Sequence, residues 1–160
     1  MAYLLDANVF IESRNRFYGF DICPGFWDWL DAAHVQEKVF SIEKVSDELV
    51  DDDLSEWAKN RSGLFLRPDA DVVESLQATS VWATSQDYDG AAVTTFLESA
   101  DYYLVAHAHA HGHTVVTQEV IANTKKKIKI PNACIGMDVK CMGTFDMLRA
   151  EKARFVLGSS

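Results

Sequence analysis

The order of apolar runs predicts an α/β protein, a three-layer α/β/α sandwich around a central, mainly parallel sheet. Short runs of strand character alternate along the chain with longer segments whose apolar residues recur at helical spacing, the pattern of strands joined by crossover helices. The first such run, Tyr3 to Leu5, is apolar throughout, as expected of a strand covered on both faces. No repeat, low-complexity tract or linker-like shift of composition divides the 160 residues, so residues 1–157 read as one domain. The terminal Gly158–Ser160 reads as a cloning remnant.

The elements follow in order. "AYLL" predicts the first strand and "NVFIESRN" a short helix. "PGFWDWLDAAHVQEK" places Pro24 at a helix N-terminus and Phe26, Trp27, Leu30 and Ala33 on one face. "KVFSI" predicts a second strand, and "EKVSDELV" a helix carrying the stripe Ile42, Val45 and Leu49. "LSEWAKN" predicts another helix, capped by Asp53, and "LFLRP" a short extended run ended by Pro68. "DADVVESLQATSVWATSQ" predicts a long amphipathic helix with Val73, Leu76 and Val81 among its apolar positions. "GAAVTTFLES" and "ADYYLVAHAHAHG" predict two more, the second stopped by Gly112. "HTVVT" predicts a strand, "KIKIPNACIG" a further one, and "TFDMLRAEKARFVL" a final helix.

With 48% hydrophobic residues the chain can bury a core without disulfides. Three cysteines form no paired framework and fit a reducing, cytoplasmic setting. No basic-then-apolar leader and no apolar stretch of roughly 18 residues is present, so neither secretion nor a membrane partner is expected. Net charge is −9, but unevenly spread: residues 1–120 hold 21 acidic and 7 basic side chains, residues 121–160 hold 3 and 8. An acidic body argues against binding nucleic acid by bulk electrostatics. A divalent cation would offset that repulsion locally.

Ligands of parallel sheets gather beyond the carboxyl ends of the strands. Asp6 stands there after the first strand, and Glu119 just beyond "TVVT". Asp101 continues the core-facing stripe of Leu104, Val105 and Ala108, and Glu48 lies at the edge of the Val45 stripe. Taken singly, Asp6 reads as a cap, Asp101 as a favourable first-turn acid and Glu48 as solvated surface. Together, four carboxylates facing inward repel unless a cation or proton intervenes, and such sets suit Mg²⁺ or Mn²⁺.

The segments "YLLDANVFI", "VSDELV", "ADYYLVAHAHAHGHTVVTQE" and "KIKIPNACIGMDVKC" resemble the PIN-domain (PilT N-terminus-like) ribonuclease family, in the branch ending in an IPN-x-C segment. The resemblance runs from about residue 3 to residue 148. It implies a PIN-like fold and a Mg²⁺- or Mn²⁺-dependent endoribonuclease. Its catalytic and metal-binding acids carry over to Asp6, Glu48, Asp101 and Glu119, with Asn8 and Thr117 as polar supports. It further implies the toxin of a toxin–antitoxin pair, hence an RNA substrate, a protein antitoxin and a homodimer. This chain departs from the common pattern in having Glu119 where Asp is frequent and Tyr102 after Asp101. Arg14, Arg16, Lys125, Lys126 and Lys127 are candidate phosphate contacts.

Other readings fit less well. The His107/His111 and His109/His113 pairs have helical metal spacing, but no glutamate joins them. Cys134 and Cys141 lack zinc-knuckle spacing. A haloacid-dehalogenase-type phosphatase needs a second Asp where Asn8 stands, and a dinucleotide fold needs a glycine-rich turn. The alternative from another class is a PIN-like binding module for RNA or protein, using an aromatic surface that includes Phe17, Tyr18, Phe20, Phe26, Trp27 and Trp29.

Overall fold

The computed structural model describes residues 1–158; Ser159 and Ser160, part of the expected remnant, lie outside the described residues. In chain order the elements are β1 (Tyr3–Leu5), α1 (Ala7–Glu12), α2 (Pro24–Val35), β2 (Val39–Ile42), α3 (Glu43–Ser46), α4 (Asp52–Lys59), β3 (Phe65–Leu66), α5 (Ala70–Ser85), α6 (Gly90–Leu97), α7 (Ala100–His111), β4 (Thr114–Val116), α8 (Ile130–Gly136), β5 (Cys141–Met142) and α9 (Thr144–Ala150). A π-helical turn, Ser13–Phe17, continues α1.

All five strands are parallel, in the order β3-β2-β1-β4-β5. The chain builds outward from β1 to β3 on one side, then returns to place β4 and β5 on the other. The strand order therefore reverses between β1 and β4, whose register pairs Leu5 with Val116. That reversal opens a crevice beyond the carboxyl ends of the two strands. Asp6 and Thr117 are the first residues past those ends.

β1 and β4 are three residues each and buried throughout, as strands covered by helices on both faces are. Phe10 of α1 packs against Trp57 and Phe65, with ring centroids 5.8 and 6.0 Å away. Trp27 of α2 meets Trp57 edge-on at 5.0 Å. Tyr18 stacks on Phe26 at 4.6 Å and Phe20 on Trp27 at 4.2 Å; of the aromatic segment, Phe26 and Trp27 are core, Tyr18, Phe20 and Trp29 are half-buried against it and Phe17 is exposed. Gly112 ends α7 in the left-handed region, φ 68°, which allows β4 to start two residues later.

Several expected elements differ. "KIKIPNACIG" is not a strand: Pro131 opens α8, and the fifth strand is Cys141–Met142. Asp51, not Asp53, stands at the N-cap position of α4. The helix expected over "EKVSDELV" stops at Ser46, and the last helix stops at Ala150. In α5, Val73 and Val81 are exposed, and the buried face is Val72, Ser75, Thr79 and Ala83. Small residues there let α5 lie close against α7, and Thr79 returns its hydroxyl hydrogen to Ser75 O at 2.7 Å.

Candidate active site

Asp6 caps α1. Its Oδ1 accepts from the Ala7 amide at 2.7 Å, and its Oδ2 accepts from Thr117 Oγ1 at 2.8 Å. Thr117, immediately after β4, then serves as acceptor for Asn8 Nδ2 at 3.3 Å and for the Glu119 amide at 3.1 Å. Asn8 Oδ1 accepts from the Gln118 amide at 3.0 Å. One hydroxyl thus ties the end of β1 to the end of β4 and fixes where Glu119 leaves the sheet.

Asp101 enters from the first turn of α7, below which Leu104, Val105 and Ala108 are fully buried. Glu48 comes from the turn after α3 and is exposed at the outer wall. Burial and neighbouring charges oppose the ionisation of Asp6 and Asp101. Burial first pushes the Asp6 carboxyl up to about 6, with Thr117 and the Ala7 amide opposing and the charges of Glu119 and Glu48 adding. Burial, then Asp6, Glu119 and Glu48, push Asp101 up to about 7, while Lys127 pulls it back. Glu48 is also raised, by burial and by Asp47. Glu119 Oε1 is buried with no hydrogen-bond partner, and Lys129 Nζ stands 3.9 Å away. Asp6 is therefore satisfied within the protein, whereas one Glu119 oxygen is held out of water without a hydrogen-bond donor.

The donors are all oxygen, and one is orphaned, which suits a hard divalent cation. The quartet is open rather than collapsed: no three of its carboxylates bring oxygen atoms within 4.8 Å of one another. Among the described residues, the group that does reach that spacing is Asp69, Asp71 and His111, all exposed. Asp69 caps α5 and accepts from His111 Nε2 at 2.8 Å, so this group lies at the far end of α7, about 15 Å along the helix from Asp101.

The basic candidates separate. Arg14 is held by Asp53 at 3.0 Å and faces Asp51, and Arg16 pairs with Glu12 at 3.3 Å. Lys125 pairs with Asp87. Lys126 and Lys127 instead line a cavity of about 320 Å³ together with Glu48, Asp101, Phe96 and Ser99. Tyr102 turns away from the acids and donates to Leu76 O at 2.6 Å, anchoring α7 to α5. The histidines diverge: His107 is buried and held neutral, its pKa lowered to about 4 by burial. His109 meets Ser75, and His113 accepts from the Ala2 amide.

One grouping is not legible in the sequence: Asp69 and Asp71 are 40 or more residues from His111.

Replacing Thr117 with valine leaves Asp6 Oδ2 without its donor and two half-buried N–H groups without their acceptor. The expected result is a loss of about 2 kcal/mol in stability by thermal unfolding and roughly a tenfold to hundredfold weaker Mn²⁺ binding by calorimetry.

The all-parallel sheet with helices on both of its faces makes this a PIN-like α/β/α fold. A solved structure with this fold is FitAcB from Neisseria gonorrhoeae, 19% identical, with a TM-score of 0.52 over 88% of this chain and 96% of that one. At that identity the likeness is one of fold. The chain belongs to the family described as DUF4411, a domain of unknown function, whose model matches residues 3–155. No curated protein matches it.

Proposed function

We propose that this chain is an endoribonuclease that hydrolyses RNA phosphodiester bonds with Mg²⁺ or Mn²⁺ held by Asp6, Glu48, Asp101 and Glu119. The observation that carries the reading is the convergence of these acids at the β1–β4 crevice, with Asp6 and Asp101 raised to about 6 and 7. A protein has no structural use for crowding carboxylates that repel one another in a half-buried cleft.

What a divalent ion supplies in such a site is a lowered water pKa and compensation of charge on the phosphoryl oxygens. The residues do the positioning. Asp6, fixed by Thr117 and the Ala7 amide, and Asp101, fixed by the packing of α7, are the rigid ligands. Glu48, on the exposed wall, orients water or completes the set. Glu119 offers its Oε1, which accepts no hydrogen bond and faces Lys129 at 3.9 Å, from the β4 side. Asn8 keeps Thr117 and the Gln118 backbone in register. Lys126 and Lys127, the cations lining the adjoining cavity, receive the flanking phosphates, while Arg14, Arg16 and Lys125 are occupied by acids in the free protein and reach RNA only by exchanging those partners.

The same resemblance supports a narrower role as the toxin of a toxin–antitoxin pair in the cytoplasm, with a protein antitoxin and a homodimeric state. Among the described residues no helix is long and apolar enough to cross a membrane.

The test is cleavage of a labelled structured RNA by the purified chain with Mn²⁺, with Mg²⁺ and with chelator. Cleavage that requires metal is the expected result. Equal cleavage in chelator would exclude the proposed mechanism. The pH dependence follows from the raised carboxyls. Below about pH 6 both Asp6 and Asp101 hold protons that metal must displace, and above about pH 7 both are ionised. Mn²⁺ affinity, measured by calorimetry, should therefore rise about tenfold between pH 6 and pH 8, with proton release greatest at the acid end.

A further inference from the structure

The aromatic segment after α1 is only partly spent on the core. Phe17, which ends the π-helical turn, is 44% exposed, and Phe145 in the first turn of α9 is 40% exposed. Their rings meet edge-on, with centroids 5.4 Å apart. Beside them opens a cavity of about 170 Å³ walled by Tyr18, Phe145, Phe155 and Arg149. The wall is preformed. Tyr18 stacks on Phe26 and meets Phe155 edge-on at 5.4 Å, and Trp27 Nε1 donates to Tyr18 O at 2.6 Å. Arg149 is exposed and, unlike Arg14 and Arg16, forms no ion pair among the described residues.

Both elements that carry the exposed rings start at the acid cleft. α1 follows Asp6, and its continuation reaches Phe17 roughly 15 Å further along the axis. α9 starts at Thr144, whose hydroxyl accepts from Gln118 Nε2 at 3.0 Å, while the Gln118 amide is bound by Asn8. The ring pair therefore continues the β4 side of the cleft, away from Lys126 and Lys127. Aromatic faces with a free guanidinium beside them select a flat, stackable solute that carries an anion, which is an unpaired base and its phosphate. A paired base is already stacked in its helix and offers no free face. The phosphate is met by the segment that can take it, since residues 121–160 hold 8 basic and 3 acidic side chains in an otherwise acidic chain.

We propose that Phe17, Tyr18, Phe145 and Phe155, with Arg149, form a subsite for an unpaired base of single-stranded RNA, a few nucleotides from the acid cleft. As a substrate contact it rests on the ribonuclease reading. As a binding site for single-stranded RNA it does not.

The experiment measures binding of labelled oligouridine and of a blunt RNA duplex to the full chain by fluorescence anisotropy, in chelator so that the metal-dependent reaction is off. Cleavage of the oligouridine with Mn²⁺ follows. The expected result is tighter binding of the single strand than of the duplex, and about tenfold weaker single-strand binding for Phe145→Ala. Phe145→Tyr keeps the ring and should bind like the parent. Arg149→Gln should weaken binding several-fold and lower the slope of affinity against salt by about one. Mn²⁺ affinity by calorimetry should be unchanged in all three variants. In cleavage, Phe145→Ala should raise KM about tenfold and leave kcat as it was. Thermal unfolding checks that this variant is folded, and Phe17→Ala, at the more exposed ring, repeats the test if it is not. Equal affinity of the parent for single strand and duplex, no binding of oligouridine, or parent-like binding by the folded Phe145→Ala chain would each overturn the subsite. Cleavage whose KM ignores the ring would overturn it too, with the nuclease still standing. Ring-dependent binding by a chain that never cuts with Mn²⁺ would instead overturn the nuclease reading and leave the RNA subsite in place.

Discussion

Asp101→Asn should abolish metal-dependent cleavage while making the metal-free chain more stable at pH 8. Both effects come from one buried charge. Asp101 titrates at about 7 in the folded chain because burial and three other acids oppose its ionisation, whereas an unfolded Asp titrates near ~3.9. Its protonated form is the one that suits the fold. The resulting stability is fully present below the unfolded pKa and is lost as pH rises through about 7. Asparagine keeps the shape and removes the loss. The variant should gain about 2 kcal/mol over the parent at pH 8 without metal, and the gain should vanish near pH 4. Mn²⁺ should then raise the melting temperature of the parent but not of the variant. Cleavage should fall by roughly a thousandfold or more, because an uncharged amide neither binds the ion well nor offsets its charge. Purified in parallel, the variant also exposes any contaminating nuclease. A variant that is less stable at pH 8 would show Asp101 to be a structural residue.

The second large effect lies away from the acids. Gly136, the last residue of α8, faces the indole of Trp82 on α5, and an added Cβ there would overlap that ring. Trp82 is half-buried and edges against Tyr88 and Phe96, with centroids 6.1 and 6.5 Å away. Phe96 in turn lines the cavity beside Asp101. Gly136→Ala forces the indole outward and breaks those aromatic contacts, at about 2 kcal/mol or about 6 °C in melting temperature. In a Trp82→Ala background the same substitution should cost nothing, and a double-mutant cycle of thermal unfolding measures the difference. A cost that survives without the indole would place the strain in the α8 backbone.

Much of this was legible because periodicity reports burial directly. β1 and β4 are short apolar runs, and the stripe under Asp101 has unbroken helical spacing, so the acids beyond them could be placed by rule. Where hydrophobicity and burial part company, the sequence misleads. α5 buries Ser75 and Thr79 because close helix contact favours small residues, while Val73 and Val81 face solvent at 59% and 61% exposure. "KIKI" alternates like a strand, yet Pro131 at a helix N-terminus prevails. β5 has only two residues, too few for any pattern. Which lysine is free to meet a phosphate depends on Asp87, 38 residues from Lys125. Nothing local to "TKKKIK" records that pairing.

The reversal of strand order also governs when the site comes into being. β1 is made first, yet it occupies the centre of the sheet, and its register partner Thr114 follows 111 residues after Tyr3. Asp6 and Thr117 are separated by the same distance along the chain. Contacts of such sequence separation close late and slowly. On a ribosome, the first carboxylate would emerge long before the hydroxyl that orients it, and the cleft would complete itself only as the last quarter of the chain is added. A growing chain would therefore carry all but one of its acids without an assembled centre. On the proposed ribonuclease reading, that order of assembly would withhold the activity from the messenger still being read.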